Sequence, residues 1–104
     1  MTKTIGIITG VDAEAAALFP GQSANSEALH GFMVRQVQTG GRNIAITCSG
    51  IGKVNAAMAA MMLVEHYRAE LLLVVGTAGK LSAHDGHCFQ VTQAVQGDYG
   101  ASRA

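Results

Sequence analysis

A chain of 104 residues is enough for one domain with a modest core and too short for two. Seven basic residues balance seven acidic ones, so no charged field invites nucleic acid or an anionic membrane. Charged residues make up only 13% of the chain against a usual figure of roughly 25%, while apolar residues reach 49%, which implies elements buried on several sides or a large partner interface. Cys48 and Cys88 lie in or beside apolar, strand-like runs without CxxC spacing, and read as buried thiols of a reducing compartment, the cytoplasm. Residues 1–6 lack the apolar segment and cleavage site of a secretory signal. The longest apolar run, residues 56–64, falls far short of the roughly 20 residues that span a bilayer.

In chain order, residues 5–8 read as a short buried strand ended by Gly10 and Asp12, with Asp12 placed to cap the next helix. Residues 13–19 have high helix propensity, and Pro20-Gly21 stops them. Residues 22–27 read as a polar loop. Residues 31–38 and 43–48 form a strand pair around the turn Thr39-Gly40-Gly41-Arg42. Next comes Ser49-Gly50-Ile51-Gly52-Lys53-Val54-Asn55-Ala56-Ala57, a two-glycine turn from strand to helix. Such a turn brings backbone N–H groups to a helix N-terminus with no side chains in the way.

The helix over residues 53–68 places Val54, Ala57, Met58, Met61, Met62 and Glu65 on one side. Leu63 and Val64 are apolar too, so burial by a sheet and by a second subunit is expected. Residues 71–75 read as a fully buried strand of a parallel sheet, ending in the turn Gly76-Thr77-Ala78-Gly79. A polar loop over residues 83–87 precedes a last strand over residues 88–95, and no helix follows. The order of elements is mixed α/β. Ligands of open α/β sheets bind outside the carboxyl ends of strands. The segments 10–14, 50–52 and 76–79 all follow strands and can line one cleft.

Two nucleotide readings of the glycine turn fail. A P-loop requires glycine at Thr47 and Ser or Thr at Val54, and a dinucleotide fingerprint requires glycine at Asn55. A plain tight turn into a helix stays open. His84-Asp85-Gly86-His87-Cys88 carries four ligand types, but zinc needs a second cluster, and His30 and His66 stand alone. That stretch reads as a solvated loop, and neither a metal nor a cofactor is expected. Glu14 on its own is a surface glutamate of a short helix; its place just after a strand end makes it a candidate.

Asp12-x-Glu14 after residues 5–8, the turn over residues 49–57 and Gly76-Thr77-Ala78-Gly79-Lys80-Leu81 together resemble the methylthioadenosine/S-adenosylhomocysteine nucleosidases of the nucleoside phosphorylase superfamily. The resemblance runs from residue 5 to about residue 98. It implies the N-terminal part of a three-layer α/β/α sandwich with a mixed central sheet, so that residues 1–104 form one incomplete domain. It implies a purine nucleoside as ligand, a homo-oligomer, and hydrolysis of the N-glycosidic bond. By motif position Glu14 is then the base that activates water. Val11 lies near the ribose, Ile51 near the 5′-alkylthio end, and Thr77, Ala78 and Gly79 lie against the nucleoside. A carboxylate suits water attack on an oxocarbenium-like centre.

The family also uses an aspartic acid on the purine and a glutamate on the ribose hydroxyls, and no residue of this chain matches either motif. The chain alone is therefore expected to be inactive. Phosphorylase relatives carry an arginine before the Gly-Ser/Thr turn, where Val74-Val75 stand here, which favours hydrolysis. A phosphorylase, a futalosine-type hydrolase and a non-catalytic binding or assembly module remain as alternatives.

Overall fold

A computed structural model describes residues 3–21, 24–81 and 86–95. Alternation along the first strand sets the architecture. In β1 (Thr4–Thr9), Ile5 and Ile7 face one side of the sheet while Gly6 and Ile8 face the other. The elements that follow are α1 (Asp12–Ala17), β2 (Ala24–Leu29), β3 (Phe32–Thr39), β4 (Arg42–Cys48), α2 (Lys53–Tyr67) and β5 (Ala69–Val74). They form a five-stranded sheet in the order β2-β3-β4-β1-β5. Strand β1 pairs in parallel with β4 and β5, while β3 runs antiparallel to both β2 and β4. The sheet is therefore mixed, as expected.

Each face carries its own core. On one, α2 sets Ala59, Met62 and Leu63 against Ile8, Phe32, Val34 and Ala45. On the other, Ala15, Leu18 and Phe19 from α1 and the residues just after it pack on Ile7, Val37, Ile44 and Ile46. Helix, sheet and helix thus form three layers. The close approach of α2 to β1 depends on Gly6, where an added Cβ would lie 2.8 Å from Leu72 Cδ2 and 3.0 Å from Leu63 Cδ1.

Several sequence expectations change. The polar loop is the edge strand β2 over most of its length. His30 and Gly31 both take positive φ, 52° and 85°, which is the turn geometry that joins two antiparallel strands. Glu27 on β2 also accepts a hydrogen bond from the Tyr67 hydroxyl and so ties β2 to the end of α2. The cap of α1 is Val11; Asp12 is already helical. The buried side of α2 is Ala59, Met62 and Leu63, so of the residues expected on one side only Met62 is in the core. Val54, Met58, Met61 and Val64 are exposed, which leaves a second apolar face.

Strand β5 is not fully buried. Among the described residues it pairs only with β1, so it is an edge, and Val74 is 81% exposed. Residues 88–95 form no strand, and Phe89, Val91 and Val95 are exposed. No described strand is paired with them, and β propensity without a partner does not hold a strand. Cys48 is half-buried and Cys88 exposed, so the expectation of two buried thiols fails for Cys88. His84 and Asp85 lie outside the described residues, as do residues 96–104.

Candidate functional site

The three parallel strands end level with one another. Ser49 N–H donates to Thr9 O at 2.9 Å, and Val75 N–H donates to Ile8 O at 3.0 Å. The segments leaving β1, β4 and β5 therefore emerge side by side at the carboxyl edge, where α/β sheets place their ligands. Glu14 stands over this edge in the first turn of α1. Its Oε1 accepts from Gly10 N–H at 3.1 Å and from Val11 N–H at 3.2 Å. Its Oε2 accepts from Thr77 N–H at 2.7 Å and from the Thr77 hydroxyl at 2.8 Å.

The two halves of this carboxylate have different meanings. The bond to Val11 is what any glutamate three residues into a helix makes to its N-cap. The bonds to Thr77 span 63 positions of sequence and join the ends of β1 and β5. Gly76 permits that approach, because an added Cβ would lie only 3.3 Å from Oε2. The Thr77 hydroxyl and then the Thr77 N–H hold the Glu14 carboxyl below the usual glutamate range; partial desolvation opposes them, and Gly10 and Val11 add smaller pulls. Glu14 is thus ionised at neutral pH with its four acceptor positions engaged.

Of the residues expected in the site, Val11, Glu14 and Thr77 come together. Ala78 and Gly79 continue from Thr77 and are exposed. Ile51 stands on the turn after β4, 84% exposed and outside the groups bonded to Glu14. That turn is braced by Asn55 Nδ2, which donates to Ile51 O at 3.2 Å, and Gly52 opens α2 at a φ of 111°. The sequence reading placed Gly10 and Gly76 in the segments lining the cleft but gave neither a relation to Glu14. It missed Arg35 on β3, which donates to the carbonyls of Ala15 and Leu18. An open groove of 390 Å³ between α1 and β2–β4, lined by Asp12, Met33, Arg35 and Cys48 among others, does not include Glu14. The bonded carboxylate, not the groove, is the candidate site.

The family model for the phosphorylase superfamily matches residues 4–103. The chain belongs to the phosphorylase superfamily. Within it, the chain is 34% identical over 76 residues to a 5′-methylthioadenosine/S-adenosylhomocysteine nucleosidase of Shewanella halifaxensis, covering 72% of this chain and 33% of that one. A nucleosidase of the same name from Colwellia psychrerythraea, solved in complex with adenine, aligns with a TM-score of 0.71 at 32% identity, over 80% of this chain and 35% of that one. An S-adenosylhomocysteine nucleosidase from Streptococcus pyogenes, in complex with 5-methylthiotubericidin, gives 0.73 at 28% identity, over 80% and 36%. This phosphorylase-superfamily chain thus spans about a third of the length of the relatives it matches.

Proposed function

We propose that the chain supplies the water-activating part of a nucleosidase site acting on purine nucleosides of the 5′-methylthioadenosine/S-adenosylhomocysteine type. The observation that carries this reading is the Glu14 carboxylate, held ionised between the ends of β1 and β5 by Thr77. The names of the relatives support the substrate class. In the proposed reaction, water oxygen bonds to C1′ of the sugar as the bond from C1′ to the purine nitrogen breaks. The proton lost by water passes to Glu14. An Oε2 position must be freed for that water, and the Thr77 hydroxyl can leave it by rotating, whereas the backbone donors are fixed. Val11 and Ile51 would border the sugar and its 5′ substituent, with Ala78 and Gly79 against the nucleoside.

The departing purine needs a proton, and this chain offers no residue matching the family's acid. Binding without turnover is the expected behaviour of the chain alone, since acid and base groups each contribute about 10²–10⁴-fold. Val74-Val75, in place of an arginine, favour water over phosphate as the nucleophile. We also place the protein in the cytoplasm and as a homo-oligomer; the second apolar face of α2 supports the association.

The test is a titration of 5′-methylthioadenosine into the labelled chain. Amide resonances of Val11, Thr77 and Ala78 should shift while no adenine is released; resonances that stay put would reject the reading. Joined to the C-terminal part of a relative, the chain should gain adenine release. Glu14→Gln should then abolish release and spare binding, because the amide keeps the size but takes no proton.

A further inference from the structure

Helix α1 presents Glu14, and beyond the packing of Ala15, Leu18 and Phe19 on the sheet it has little to hold it. It is six residues long, far below the length at which a helix persists by itself, and none of its residues is buried. Its N-cap, Val11, offers no side-chain acceptor, and its last turn carries no basic residue to meet the free carbonyls. The Ala15 carbonyl accepts from the Leu18 N–H at 3.2 Å, and both it and the Leu18 carbonyl are met from the sheet as well. Arg35 lies on β3, opposite Ile46 of β4 and Ser26 of β2. One guanidinium nitrogen, Nη2, donates to Ala15 O at 3.0 Å and also to Leu18 O. Ala15 is the residue after Glu14. The grip therefore fastens the carbonyl of the next residue after Glu14 to β3, the strand beside the β2 edge, 20 positions away in sequence.

We propose that Arg35 is a positioning residue for Glu14: by holding the carbonyls of Ala15 and Leu18 it sets the helical turn that aims the carboxylate at Thr77. At its other end the Val11 carbonyl accepts from Glu14 N–H at 3.2 Å and Ala15 N–H at 3.4 Å, and the carboxylate itself accepts from Gly10 and Val11. Removing Arg35 frees the last turn of α1, and the carboxylate moves off the Thr77 donors. A charged donor on a backbone carbonyl is also among the stronger hydrogen bonds a side chain makes.

This inference rests on the reading of Glu14 as the functional carboxylate, but its test does not use activity. The Glu14 side-chain carboxyl carbon is followed by NMR as a function of pH in the full chain. In wild type the midpoint lies below that of an ordinary glutamate. In Arg35→Met it is expected to move up toward the ordinary value, and in Arg35→Lys to move less. Met62→Ala, which weakens the core on the opposite face, should leave it where it was. A folded Arg35→Met chain with an unmoved Glu14 midpoint would overturn the proposal.

Should Arg35→Met not fold, the wild-type chain decides. Coupling between two sites is reciprocal, so the Arg35 guanidinium resonances should change with the Glu14 midpoint. Guanidinium resonances that stay flat across that midpoint would equally overturn it. Loss of nucleoside binding with the coupling intact would reject the functional reading and leave the positioning role standing.

Discussion

Glu14 is where one residue shows both what sequence carries and what it hides. Its candidacy came from its place after a strand, and the structure gives that place a physical content. Backbone donors from the end of β1 take one oxygen, and Thr77 takes the other. The Thr77 hydroxyl is the leading cause of the lowered carboxyl pKa, so Thr77→Val should raise the Glu14 midpoint, read by carboxyl-carbon NMR. It should also weaken nucleoside binding by about 1 kcal/mol through one lost polar contact. A carboxyl whose folded pKa is depressed favours the folded state above its unfolded value. That contribution fades as pH falls through the folded value. Acid unfolding of Thr77→Val should therefore begin at higher pH than in wild type, as followed by circular dichroism. The Gly76 approach was not legible, because a glycine in a turn signals either a backbone conformation or a close neighbour, and only coordinates separate the two.

At the scale of elements, strong local signals gave the right strands and weak ones did not. Gly40-Gly41 announced the β3–β4 turn, and both take positive φ as such a turn requires. His30-Gly31 makes an equivalent turn with a weaker signature, and β2 is polar because it is an exposed edge strand, so its sequence looked like a loop. The opposite error befell β5 and residues 88–95. Leu71-Leu72-Leu73 and Val91 have the composition of buried strands, but burial depends on what lies alongside, which composition does not encode. At Gly6 the elements approach closely enough that an added Cβ would lie 2.8 Å from Leu72 Cδ2 and 3.0 Å from Leu63 Cδ1. Gly6→Ala should cost about 1–3 kcal/mol by overpacking, since Leu63 is fully buried and has nowhere to retreat. Urea unfolding would show the loss as a lower midpoint at an unchanged slope.

For the whole molecule, the mixed α/β class was legible because strand and helix signals alternate in the order a mixed sheet demands, while the three-layer plan came only with the family resemblance. The second apolar side of α2 was legible too, but the open edge at β5 was not. Among the described residues, Val54, Met58 and Met61 on α2, together with the open side of β5, present apolar surface and an unpaired edge. The chain should accordingly associate at micromolar concentration. Met58→Glu with Met61→Lys should shift light scattering toward the monomer without lowering the thermal midpoint. The position of β1 has a further consequence, one of timing. It is the first strand of the chain but the central one of its three-strand parallel group, and its neighbours arrive late: Ile7 pairs with Ile46 on one side and with Leu73 on the other. Local pairing of β2, β3 and β4 closes short loops and can run ahead, whereas joining β5 to β1 closes the longest loop of the sheet. Pulsed hydrogen exchange should therefore protect the amides of β3 and β4 before that of Val75, and the bond from Thr77 to Glu14 forms only when the last strand has docked.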